Sequence, residues 1–303
     1  MPDLLKKIYH ALPVVRELRA LREGLSLQTR ILDRYARVSA TSAWICAWEA
    51  LRAGDERYRD PRRLLAHGAQ YWSQNFEDGM IREVFRRIGA NAKTFLEIGA
   101  GDGSENNTTA LLADGWTGWW IEGSPESCAA IAARLKVMPA MAARLQVRQA
   151  LVARENIVRV LEEMRVPAEI DLFSLDIDLN TYHIWSALKD FRPRVVVVEY
   201  NSGIPAEQGW IQPYEPDQTW DITQAQGASL KAYEELGRKF GYSLVGCDLA
   251  GVNAFFVRSD LVGDKFAAPF TAENHYEPPR YGLSYRFGLP SKFYGETDRS
   301  GAA

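Results

Sequence analysis

The chain has 303 residues, of which 47% are hydrophobic and 25% charged, and its net charge is −3. That balance fits a soluble globular protein with a substantial core and excludes disordered and fibrous classes. Arginine and lysine are scattered along the chain, so no basic face points to a nucleic-acid partner. Cys46, Cys128 and Cys247 are far apart and lack metal-ligand spacing, which reads as core filling in a reducing, cytoplasmic compartment. Met1–Lys7 has no sustained apolar run, and Ala43–Trp48 is far shorter than the roughly 20 residues a membrane span needs. Neither secretion nor a transmembrane segment is therefore expected.

From Leu4 to about Leu51, apolar residues recur at helical spacing, as in Leu18, Leu21, Leu25, Ile31, Leu32 and Tyr35. Pro13 and Gly24 interrupt the run, which predicts two or three helices rather than one rod. Bases outnumber acids here, so peripheral contact with a membrane surface competes with a helical cap that dimerises or covers the next domain. A homo-oligomer is expected. Asp60-Pro61 marks a break, giving a helical N-terminal extension over 1–65, a main domain over 66–262 and an aromatic, proline-rich extension over 263–303.

Tyr71–Gly79 reads as a polar entry into a helix carrying Met80, Ile81, Val84, Phe85 and Ile88. Strand-helix alternation follows. Strands are predicted at Thr94–Ile98, Gly118–Glu122, Val147–Val152, Ile170–Asp176, Arg194–Tyr200, Tyr242–Cys247 and Asn253–Arg258. Helices are predicted at Asn106–Asp114, Pro125–Leu135, Asn156–Arg165, Ile184–Leu188 and Ala228–Phe240. This is the pattern of an α/β, Rossmann-like, seven-stranded and mainly parallel sheet with helices on both faces. The connection from Asn201 to Gly227, with Trp210, Tyr214 and Trp220, is long enough to suggest a functional loop. Beyond Asp260, Tyr276, Tyr281, Tyr285, Phe287 and Phe293 argue for a segment packed on its own domain or on a second subunit.

The first strand ends as Glu97-Ile98-Gly99-Ala100-Gly101-Asp102-Gly103, and the second closes on Glu122-Gly123. Glycines permit a sharp turn and close ligand approach, and a carboxylate at a strand end accepts bonds from ribose hydroxyls, so the pair describes a nucleoside pocket. A dinucleotide site wants a third small glycine where Ser104 stands, and the acid at Glu105 would repel a pyrophosphate. S-adenosylmethionine instead carries an ammonium that Glu97 or Asp102 would attract. Trp116, Trp119 and Trp120 read mainly as core.

The fourth strand ends on Asp176 and Asp178, and the fifth on Glu199 and Asn201. Converging oxygen ligands suit a divalent metal, Mg²⁺ or Mn²⁺, held by Asp176, Asp178, Glu199 and Asn201. The competing reading is that they bind acceptor hydroxyls directly, or that Asp176 acts alone as a general base. His183, at a helix start just beyond, is a second candidate for proton transfer.

The Glu-x-Gly-x-Gly-x-Gly string of Glu97–Gly103 resembles motif I of the class I S-adenosylmethionine-dependent methyltransferases. Ser73–Asp78 resembles the polar segment that precedes motif I in their FkbM-type branch, and Leu175–Asp178 is similar to its fourth-strand acidic motif. Glu199 matches the acid that closes the fifth strand. The acid, acid and amide arrangement is similar to that of metal-dependent members such as catechol O-methyltransferase. The resemblance covers about Ser73 to Leu261 and departs where Leu179 replaces a glycine. It implies that Glu97, Gly99, Gly101, Asp102, Gly103, Glu122, Gly123, Leu151 and Asp176 contact S-adenosylmethionine, with Leu151 offering backbone groups to adenine. It further implies O-methylation of a small-molecule, sugar or glycan hydroxyl. A catalytically silent cofactor-binding subunit of a glycan assembly and a nicotinamide-dependent oxidoreductase are the rival functions.

Overall fold

The structure is a computed structural model and describes residues 13–216 and 226–280. Seven strands form one sheet in the order β3-β2-β1-β4-β5-β7-β6. They are β1 Thr94–Ile98, β2 Thr117–Glu122, β3 Leu145–Gln149, β4 Leu172–Leu175, β5 Val195–Glu199, β6 Tyr242–Cys247 and β7 Asn253–Arg258. β1 to β5 pair in parallel, while β7 runs antiparallel between β5 and β6. The expected seven-stranded, mostly parallel α/β fold is therefore present.

Alternation along each strand sorts side chains between two cores. Leu96, Ile98, Phe173, Leu175, Val196 and Val198 join one cluster, and Phe95, Leu172, Val195 and Val197 join the other. The first packs under α6 Ile157–Glu163, α7 Thr181–Ala187 and α8 Leu230–Lys239, through Ile157, Ile184 and Tyr233. The second packs under α2 Glu77–Ile88, α3 Thr109–Ala113 and α4 Pro125–Lys136, through Met80, Leu111 and Ile131. Both faces of β5 are covered, as its unbroken valine run requires. Short helices α5 Pro139–Ala142, α9 Ser259–Val262 and α10 Ala272–His275 were not legible in the sequence.

Three expectations are corrected. Among the described residues the N-terminal region is one helix, α1 Pro13–Gly54, with no break at Gly24, while the part of the expectation before Pro13 lies outside them. Pro13 stands at its first position, where a missing N–H does no harm, and a single interior glycine costs only about 1 kcal/mol among good helix formers. The third strand is shifted toward the N-terminus, leaving Leu151 beyond it and 82% exposed. Cys46 is exposed and Cys128 half-buried, so only Cys247 is a core thiol.

The C-terminal part of α1 docks on the body through Trp44 and Trp48, which join Tyr58, Leu65, Phe76 and Leu249 in a third cluster. The segment up to Arg280 also packs on its own domain. Tyr276 donates to the Ser202 carbonyl at 2.6 Å, and Tyr200 donates to the Glu277 carbonyl at 2.7 Å. Tyr281, Tyr285, Phe287, Phe293 and Trp220 lie outside the described residues. No helix among the described residues is long and apolar enough to cross a membrane.

Candidate active site

Strand order reverses between β1 and β4, and open α/β sheets take ligands at the carboxyl ends beside such a switch point. β1 runs directly into Gly99 and Gly101, both left-handed at φ 85° and 54°. A Cβ on Gly99 would lie 1.6 Å from the carbonyl oxygen of Asp176, so this turn is pressed against the end of β4. A Cβ on Gly101 would meet nothing within 4 Å, so the turn after β1 forms a cradle that is open at that position. Gly103 instead faces inward, with a Cβ there only 3.1 Å from the Trp120 ring.

Glu122 ties the cradle to β2. Its carboxylate accepts the Gly101 N–H at 2.7 Å and the Ser124 N–H at 2.8 Å. A carboxylate has about four acceptor positions, so two bonds leave capacity for ribose hydroxyls. Gly123 follows, and Leu151 lies against it, with Cδ2 2.6 Å from where a Cβ would stand. The Leu151 carbonyl accepts from the Asn156 side chain at 3.0 Å.

Glu97 and Asp102 are turned to other partners. The buried Glu97 carboxylate accepts the Asn107 N–H at 3.0 Å and the Thr108 N–H at 3.3 Å, and also the Thr108 hydroxyl. It thus holds the loop after the cradle from beneath, and Trp120 extends the network by donating to Thr108 Oγ1 at 2.8 Å. Burial pushes its pKa up to about 7 against the opposing effect of these bonds. Asp102 accepts from Ser104 at 3.0 Å and pairs with Arg134 on α4 at 2.8 Å. Partial burial would raise its pKa, but these bonds outweigh that effect and hold it below the ordinary value.

On the other side of the switch point, Asp176, Asp178 and Glu199 each offer a carboxylate oxygen, and these atoms all lie within 4.8 Å of one another. Asp178 holds a left-handed backbone at φ 57°, a conformation that costs a non-glycine residue roughly 1 kcal/mol or more. Asn201 works as a staple for the long connection. Its amide donates to the Gln226 carbonyl and accepts the Gly203 N–H, both at 3.0 Å.

His183 Nε2 lies 2.7 Å from the Gln212 carbonyl, a contact in which that nitrogen donates. Asn180 donates to the Glu215 carbonyl at 3.0 Å, and Tyr214 bonds Glu155 beneath the Arg154 guanidinium. The connection after β5 is thereby fastened across the start of α7 and onto the start of α6.

Sequence reasoning missed Tyr233. It is fully buried on α8, and its hydroxyl has no hydrogen-bond partner among the described residues. Burial first, then the charges of Glu199 and Asp176, hold its pKa well above the usual phenol range. An orphan phenol beside a carboxylate group is polar chemistry, but Tyr233 occupies an apolar position of its helix and no motif marks it.

The polar segment Ser73–Asp78 is architectural. Asp78 accepts the N–H groups of Tyr71 and Trp72 at 2.7 Å and of Ser73 at 2.9 Å. Glu77 accepts from Asn253 on β7 at 2.7 Å. A separate cavity of about 280 Å³ lies between Trp72, Gly103, Thr109, Trp120 and Arg134, and none of Gly99, Glu122 or Asp176 lines it.

No protein-family model matches the chain, and no curated protein matches it. Solved structures do. An S-adenosylmethionine-dependent methyltransferase from Aquifex aeolicus is 11% identical, with a TM-score of 0.36 over 60% of this chain and 90% of that one. The glycopeptide N-methyltransferase MtfA, complexed with S-adenosyl-L-methionine, is 13% identical, with a TM-score of 0.38 over 63% of this chain and 97% of that one. The bifunctional kinase-methyltransferase WbdD is 18% identical, with a TM-score of 0.35 over 59% of this chain and 37% of that one. These neighbours are methyltransferases, each at a TM-score below 0.5. Nothing about activity or acceptor is carried over from them at such identities and scores.

Proposed function

We propose that the chain is an S-adenosylmethionine-dependent O-methyltransferase of FkbM type, acting on a hydroxyl of a sugar, glycan or polyketide-like molecule. The observation that supports this reading is the open Gly101 cradle, with Glu122 bonded to one side and the Asp176, Asp178 and Glu199 carboxylates beyond the Gly99 contact. Residues 66–262 form the catalytic unit in this reading, with 1–65 and 263–303 as extensions.

Gly101 gives the cofactor close access to backbone, Gly99, Gly103 and Gly123 let the surrounding turns pack tightly around that position, Glu122 takes the ribose hydroxyls, and Leu151 borders the adenine. When bound, S-adenosylmethionine supplies an electrophilic methyl group on a sulfonium. The chain's own work is to hold the acceptor oxygen in line with it, and such positioning is worth up to about 7–11 kcal/mol of barrier. Asp176 serves as the base, on a backbone whose carbonyl abuts Gly99. His183 keeps Nδ1 available for a proton while its Nε2 fixes the connecting segment. The three carboxylate oxygens fit Mg²⁺ or Mn²⁺, which would lower the hydroxyl pKa.

Transfer of a labelled methyl group from S-adenosylmethionine to a panel of sugar and glycan acceptors tests the reading. Asp176→Asn should lower turnover about 100-fold or more. Labelling of amines with no labelling of hydroxyls would overturn the O-methyltransferase assignment.

A further inference from the structure

The first half of α1 lacks cover among the described residues. Leu18, Leu21, Leu25 and Leu32 are 61%, 62%, 63% and 69% exposed, whereas Ala40, Trp44 and Trp48 further along are buried against the body. Val14, Leu18, Leu21, Leu25, Leu32 and Tyr35 follow alternating steps of four and three residues, and Gln28 fills the remaining place. That period of 3.5 is the repeat of a left-handed coiled coil.

We propose that Val14–Tyr35 zips in parallel against the same segment of a second copy of this chain. In the heptad, Leu18, Leu25 and Leu32 take the a positions, and Val14, Leu21, Gln28 and Tyr35 take d. Glu17 then falls at g and Arg22 at the following e, so in a parallel pair Glu17 faces Arg22 of the partner subunit, twice by symmetry. An antiparallel pair would set g against g and lose both contacts. Gln28, exposed at the centre of the seam, is the kind of polar core residue that fixes register.

The size also fits. The exposed apolar side chains of the seam offer on the order of 700 Å² per helix, close to the roughly 800 Å² per partner in a standard interface. Beyond the seam Trp44 stacks on Phe76 at 4.8 Å, so pairing would set two catalytic bodies side by side at one end of the rod. A helix lying on lipid needs an apolar face but no 3.5 repeat, and it makes no use of the Glu17 and Arg22 phase.

Light scattering and sedimentation equilibrium on the full chain should give twice the chain mass. Leu18→Lys with Leu25→Lys should weaken association roughly 100-fold or more while leaving the thermal midpoint of the body unchanged. Gln28→Cys, made in a Cys46→Ser chain, should form an interchain disulfide under mild oxidation, since in-register d positions meet the Cα separation of under about 7 Å that the bond requires. A monomeric wild type, a double variant that still dimerises, or a dimer that fails to cross-link through Gln28→Cys would each overturn the proposal. A monomer that sediments with phosphatidylserine vesicles would assign the stripe to lipid instead.

Discussion

The Cβ that Gly99 lacks would lie 1.6 Å from the carbonyl oxygen of Asp176. This contact joins the cradle after β1 to the first acid after β4, at the place where the strand order reverses. Gly99→Ala must therefore push the two strand ends apart, in addition to the roughly 1 kcal/mol of placing alanine in a left-handed conformation. We expect it to lower the thermal midpoint by about 10 °C or more, as a loss of several kcal/mol does in a domain of this size. Gly101→Ala meets open space and should lower the midpoint by less than about 5 °C while weakening S-adenosylhomocysteine binding about tenfold or more. Thermal denaturation and calorimetry on the two variants separate these effects.

Glu122→Ala removes the acceptor for both Gly101 and Ser124. The cradle loses its tie to β2 and, in the proposed function, the cofactor loses a ribose partner. S-adenosylhomocysteine affinity should fall about 10- to 100-fold with circular dichroism unchanged, in keeping with the loss of hydrogen bonds to a charged group. Unaltered affinity would remove Glu122 from the nucleoside site.

Burial holds the Glu97 carboxyl at about 7, against an ordinary value of 4.5. Between those values the native chain keeps a proton that the unfolded chain releases. The associated stability is fully present below about pH 4.5 and is lost as pH rises through about 7, on the order of 3 kcal/mol in all. Asp248 acts with the same sign, pushed up to about 8 by burial and then by Glu77. Thermal midpoints should therefore decline from pH 5 to pH 8. Glu97→Gln should flatten the decline between pH 5 and 7, and an unchanged slope would show that Glu97 is ionised in the native protein.

The orphan Tyr233 hydroxyl is a cost to stability. Tyr233→Phe removes a buried unsatisfied group and should stabilise the chain by about 1 kcal/mol. If a ligand at the carboxylate group engages that hydroxyl, the same variant binds it more weakly. Mn²⁺ titration by calorimetry should show one site, weakened about tenfold or more by Asp178→Asn. Heat at the level of buffer dilution would remove the metal from the account.

Much of the sheet was legible because strand period and strand length are local properties. Thr94–Ile98, Tyr242–Cys247 and Asn253–Arg258 were read with the bounds they have in the fold. β3 was misplaced because it is an edge strand with no fully buried side chain, so Arg148 and Gln149 belong to it while apolar Leu151 does not. Gly24 suggested a break because a lone sequence does not reveal how strongly the flanking turns favour helix. In the candidate site, acids at strand ends were readable, and Asp176, Asp178 and Glu199 do converge. The direction of the Glu97 carboxylate was not, because sequence does not show that its oxygens lie on the backbone N–H groups of Asn107 and Thr108.

The central claim is that the strand-end cradle holds S-adenosylmethionine. Titration of the full chain with S-adenosylhomocysteine and, separately, with NAD tests it most directly. Saturable binding of S-adenosylhomocysteine with a micromolar dissociation constant, equivalent to about −8 kcal/mol, is expected, with no heat from NAD. Binding of NAD alone would contradict it.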